Sequence, residues 1–154
     1  MDNFYLRNWF CFVILSYLFK ISVSLLVFYV FLPDQENISN YNVAVLSNYD
    51  RIMMVIFLAP IFETLFFQFG LIEIMYSLVK RKFIYKGIVA ILLSSVAFSL
   101  THSENAYNMI HGFFSGLVLA TVYMLARKND KKPFLSTLLI HFLFNLTVFI
   151  SNEY

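Results

Sequence analysis

Long apolar runs separated by short polar breaks set the pattern of this chain. The first run covers residues 9–32 and is interrupted once, by Lys20. The stretch 33–50 is rich in Asn, Asp, Glu and Ser, and further apolar runs follow at 52–79, 84–102, 106–126 and 134–150. Between them stand Lys80-Arg81-Lys82, the link Ser103-Glu104-Asn105 and the charged segment 127–133. Continuous apolar runs of this length cannot cross hydrocarbon as unpaired strands, because their backbone groups would find no partners, whereas helices satisfy those groups internally. At roughly 20 residues per span, the pattern predicts an all-α polytopic membrane helix bundle of about five transmembrane helices. Residues 1–154 then form a single membrane domain, with 1–50 as the first span and outer loop and 52–150 as a four-helix core. The first run reads as a retained span, since it is long and bulky and no Ala-x-Ala-like site precedes Pro33.

Composition agrees. Of 154 residues 60% are hydrophobic and 13% charged, far from the balance of a soluble globule. The lone Cys11 excludes an intramolecular disulfide. Nucleic acid is not an expected partner, for the basic loops carry no stripe of interleaved aromatics. The expected partners are the lipid bilayer and, from the chemistry below, a peptide or protein substrate. Charge placement orients the bundle. Arg7, Lys80, Arg81, Lys82, Lys86, Arg127, Lys128, Lys131 and Lys132 fall on one side, and Arg51 alone falls on the other. By the positive-inside rule the amino terminus is expected in the cytoplasm and the carboxy terminus outside, in a multi-pass cell-membrane protein.

Ionisable side chains inside the runs are the candidate chemistry. Lys20, Glu63, Glu73, His111 and His141 lie within them, and His102 closes the third. Each costs roughly 2.5–3.5 kcal/mol at mid-membrane unless it faces a polar interior. Lys20, Glu73 and His111 are expected to serve as interhelical hydrogen-bond partners, with Lys20 and Glu73 as a candidate pair. Glu63 and His141 stand nearly level, roughly 17 and 15 Å from the outer ends of their helices. His102 sits higher, but side-chain lean and helix tilt bring it closer to them. Asn145 follows His141 by four residues and shares its face, as Phe98 precedes His102 by four. Pro60 removes a backbone hydrogen bond one turn before Glu63 and favours a kink or a widened turn there. Gly112, Gly116 and Ala120 form a small-residue stripe suited to close helix packing.

In order along successive helices, these residues spell Glu63-Thr64-Leu65-Phe66-Phe67-Gln68, then Phe98-Ser99-Leu100-Thr101-His102, then His141-Phe142-Leu143-Phe144-Asn145. The pattern resembles the CAAX-protease and bacteriocin-processing (Abi) family of intramembrane glutamic peptidases. The motifs of that family are Glu-Glu-x-x-x-Arg, Phe-x-x-x-His and His-x-x-x-Asn. In the first motif Thr64 replaces the second Glu and Gln68 replaces the Arg. Both charges of one pair are thus lost together, and a neutral hydrogen-bonding pair is expected in their place.

The resemblance implies that 52–150 form a catalytic core and that the chain hydrolyses peptide bonds in a membrane cavity. In that role Glu63 is the general base, His102 holds the water and exchanges protons, and His141 with Asn145 donates to the oxyanion. Thr64, Gln68 and Phe98 are supporting residues. No cofactor is expected. Zinc on Glu63, His102 and His141 is the minority alternative, since two His and one Glu match a catalytic zinc ligand set. A non-catalytic immunity or scaffold protein of the same fold and a small proton-relay transporter are the rival readings. The charge placement favours a secreted or membrane-associated peptide precursor as substrate over a prenylated cytosolic tail.

Overall fold

The computed structural model describes residues 3–31, 48–79 and 85–153. Most of the long polar break after the first run, and Lys80-Arg81-Lys82, lie outside the described residues. Five helical rods make up the described chain: α1 (Asn3–Phe31), α2 (48–78), α3 (Lys86–Leu100), α4 (Ala106–Lys128) and α5 (Pro133–Glu153). Among the described residues there is no strand. Four rods are long and apolar enough to cross a membrane. The molecule is a multi-pass membrane helix bundle.

The helix boundaries follow local chemistry. Asn105 caps α4, its side chain accepting a hydrogen bond from the Asn108 N–H at 2.7 Å. Pro133 opens α5, where its missing N–H would find no partner in any case. The third rod is shorter than the apolar run 84–102. With 15 residues it rises about 22 Å, less than the roughly 30 Å hydrocarbon core. It ends early because its last turn tightens: Thr101 N–H bonds Phe98 O and His102 N–H bonds Ser99 O, both three residues back. The Thr101 hydroxyl also donates to Phe98 O at 2.7 Å.

Pro60 widens α2 as expected. Two π-helical segments, Met53–Leu58 and Thr64–Leu71, flank an α-helical stretch, Ala59–Glu63. The Ala59 N–H bonds Met54 O, five residues back. In that register the next carbonyl, Val55 O, would need the N–H of residue 60, and proline has none. Asn145 of α5 supplies the missing donor, its Nδ2 lying 2.9 Å from Val55 O.

The fourth rod is the hub, packed against α1, α3, α5 and the middle of α2. Its buried Val118, Leu119 and Val122 meet Val13, Phe98 and Ile140 in the main core. The small-residue stripe makes this possible. A Cβ on Gly116 would lie 3.0 Å from Ser95 Cα and 3.1 Å from Phe98 Cβ, and one on Gly112 would lie 3.2 Å from His102 Cβ. Glycine therefore lets α3 approach with Phe98 and His102 facing the bundle.

One end of the bundle gathers basic residues. Lys131 donates to Asn8 O, Lys132 lies over the Trp9 ring, and Arg127 and Lys86 both lie over the Tyr76 ring.

Candidate active site

Helices α2 and α5 bring Glu63, Thr64 and His141 together, and α3 sets Phe98 beside His141. Glu63 ends the α-helical stretch of α2 and Thr64 starts its second π segment, so both stand at the junction of the two. Opposite them, α5 presents His141, whose Nε2 lies 3.4 Å from Glu63 Oε2. His141 Nδ1 pairs with Thr64 Oγ1 at 3.3 Å. One imidazole is therefore held at both nitrogens by neighbouring residues of α2. The His141 side chain is 4% exposed while that of Glu63 is 21% exposed, so the pair opens at the carboxylate. Both distances are longer than a tight hydrogen bond.

Phe98 links this pair to His102. Its ring centroid lies 5.8 Å from that of His141 and 4.8 Å from that of His102, and Phe67 packs edge-on against it at 5.9 Å. His102 Nδ1 donates to Phe98 O at 3.0 Å, which leaves Nε2 as the acceptor of a neutral ring. His102 is half-buried at the tightened end of α3. Among the described residues no three His, Cys, Asp or Glu side chains form a group able to hold a metal ion. The zinc set Glu63, His102 and His141 is thus not gathered as one group. Asn145 shares the His141 face, one turn on, and one of its amide hydrogens is used at Val55 O.

Two expected pairs are replaced by others. Thr64 and Gln68 do not bond to each other. Thr64 is taken by His141, and the fully buried Gln68 has no partner for either side-chain atom among the described residues. The cause is the π register of 64–71: five residues separate bonded groups there, and side chains four apart no longer stack on one line. Lys20 and Glu73 also stand apart. Glu73 accepts from Arg127 Nε at 2.7 Å, Arg127 Nη2 at 3.1 Å and Tyr123 OH at 2.8 Å. Lys20 instead donates to Ser115 at 2.8 Å. Ser115 and Tyr123 are eight residues apart on α4, about 12 Å in depth, too far for one pair. His111 is the interhelical partner expected, with Nε2 3.0 Å from Ser24 Oγ and its ring stacked on Phe144.

The pairing of Thr64 with His141 escaped the sequence reading, because nothing local announces which residue of α5 faces position 64. The π segments were signalled only indirectly, by Pro60.

The model of the type II CAAX prenyl endopeptidase Rce1-like family matches residues 47–147, about two-thirds of the chain. No curated protein and no solved structure matches it. The matched segment runs from the start of α2 to near the end of α5 and holds Glu63, Phe98, His102, His141 and Asn145. The match spans most of a helical membrane bundle, and the chain belongs to the type II CAAX prenyl endopeptidase Rce1-like family of membrane proteases.

Proposed function

We propose that the chain is an intramembrane endopeptidase of the glutamic type, with Glu63 as its general base. The observation that carries this reading is the Glu63–His141 contact at 3.4 Å, in which Thr64 fixes the second nitrogen of the ring. In the proposed step, a water bound between Glu63 and His102 gives a proton to Glu63, and its oxygen adds to the scissile carbonyl carbon. His102 Nε2, left free by the bond from Nδ1 to Phe98 O, orients that water. The oxyanion accepts a hydrogen bond from the second amide hydrogen of Asn145, while His141, held between Thr64 and Glu63, orients the base. Glu63 then returns the proton to the amide nitrogen, the C–N bond breaks, and a carboxylic acid and an amine leave. Each step uses groups of the chain and one water.

The substrate class we infer is a peptide held at or in the bilayer, such as a secreted or membrane-associated precursor. The inference follows from the charge bias, which turns the outer ends of α2 and α5 away from the cytoplasm. The test is cleavage of membrane-tethered peptides by the purified chain, with Glu63→Ala as control. Cleavage that disappears with Glu63 supports the enzyme, and cleavage indifferent to Glu63 refutes this assignment.

A further inference from the structure

The basic end of the bundle carries a groove that the chemistry above does not use. Tyr76 of α2, Ile91 of α3 and Thr121, Leu125, Arg127 and Lys128 of α4 line it, around a volume of about 310 Å³. Its walls are mostly apolar and its rim is cationic. Arg127 Cζ and Lys86 Nζ lie 4.4 and 4.5 Å from the centre of the Tyr76 ring. Arg127 is paired with Glu73 at 2.7 Å, and Lys86 donates to Tyr76 O and Val79 O. Lys128 is the exposed lysine of the groove. Among the described residues of this end, Lys86, Arg127, Lys128, Lys131 and Lys132 outnumber the carboxylates of Glu73 and Asp130, so the local field favours an anion.

Apolar walls under a cationic rim suit an anion with a hydrocarbon tail. A second apolar groove, of about 440 Å³, runs between α1 and α4 and shares Thr121 with the first. Phe19 and Val23 of α1 and Phe114 and Leu117 of α4 are among its walls. Phe114, Leu117, Thr121, Leu125 and Lys128 recur at intervals of three and four, so they form one stripe along α4. From Phe114 to Lys128 this stripe rises about 21 Å, against roughly 15 Å for half of the hydrocarbon core. A headgroup at Lys128 therefore leaves a path for a whole acyl chain. A small soluble anion would use only the rim, whereas a lipid joins both parts in one molecule. Basic pockets between spans hold anionic headgroups in this way.

We propose that this groove binds an anionic glycerophospholipid, its phosphate held by Lys128 and Arg127 beside Tyr76 and one acyl chain laid along the α4 stripe past Thr121. The site does not depend on the peptidase reading. In the test, the full chain in detergent is titrated with phosphatidylglycerol or with phosphatidylcholine of the same chains, and thermal unfolding is followed. Phosphatidylglycerol should raise the melting temperature saturably by roughly 4 °C or more, and phosphatidylcholine should raise it less. Lys128→Gln should weaken the apparent affinity for phosphatidylglycerol about fivefold, the usual weight of one cation at an anionic surface. Lys132→Gln, at the same end but over the Trp9 ring, should leave it unchanged. Thr121→Phe fills the junction of the two grooves and should reduce the rise. Equal rises with the two lipids overturn the proposal, because solvation by any lipid then accounts for them. Equal losses in Lys128→Gln and Lys132→Gln overturn it as well, since the attraction would belong to the whole basic end. An equal rise with soluble glycerol phosphate, or a full rise in Thr121→Phe, removes the acyl chain from the groove and refutes the lipid as occupant. Should Thr121→Phe not fold, the glycerol phosphate titration decides that point.

Discussion

At 3.3 Å from His141 Nδ1, the Thr64 hydroxyl leaves Nε2 as the nitrogen that faces Glu63. Thr64→Val keeps the shape and removes that bond, typically worth about 0.5–1.5 kcal/mol. We expect it to lower cleavage about tenfold with little change in melting temperature, and Thr64→Ser to restore it. Equal activity in all three would show that the hydroxyl does not orient the ring. Gln68 predicts the opposite behaviour. Its amide is fully buried without a partner among the described residues, so Gln68→Met should hold or raise thermal stability, because it removes an unsatisfied polar group of similar volume. A clear drop in melting temperature would mean that the amide is satisfied. The zinc alternative belongs to this scale as well. A chelator should leave cleavage intact, and activity lost to it and restored by zinc would move Glu63, His102 and His141 into a ligand set.

Two elements set the position of the candidate site residues. The widened turns of α2 follow from Pro60 and leave Val55 O to be met by Asn145 across the bundle. Asn145→Ala should therefore cost about 1 kcal/mol, the lower end of the usual effect of stranding a carbonyl, since this one is partly buried. In a Pro60→Ala background, where residue 60 regains its N–H, the same change should cost less. Unfolding in detergent reads both, and equal costs would break the link between Pro60 and Asn145. The α3–α4 contact is the second element. Gly116→Ala places a Cβ 3.0 Å from the Ser95 backbone and 3.1 Å from Phe98. Such overpacking typically costs about 1–3 kcal/mol. Phe98 touches both His102 and His141, so cleavage should fall further than stability does.

Across the whole molecule, Lys131 with Asn8 and Arg127 with Glu73 tie three chain segments at one end. The nine basic residues assigned to that side in the sequence predict that it faces the cytoplasm. A reporter fused after Tyr154 should then be active only outside, and activity confined to the cytoplasm would invert the orientation. Inversion would also turn those ends of α2 and α5 that the charge bias places outside toward cytosolic peptides.

The helical class, the run boundaries to within a few residues, the membrane setting and the identity of Glu63, His102 and His141 as candidates were legible along the chain. Lipid enforces these features one segment at a time: it demands apolar length and makes every ionisable residue in a run conspicuous. Partners were not legible in the same way. Lys20 pointed to Glu73 on paper and meets Ser115 in the bundle, and Thr64 meets His141 and not Gln68. Which side chains meet depends on helix depth, rotation and register. Here a proline, two π segments and a pair of glycines shift those quantities by fractions of a turn, and such shifts become fixed only when all the rods pack together.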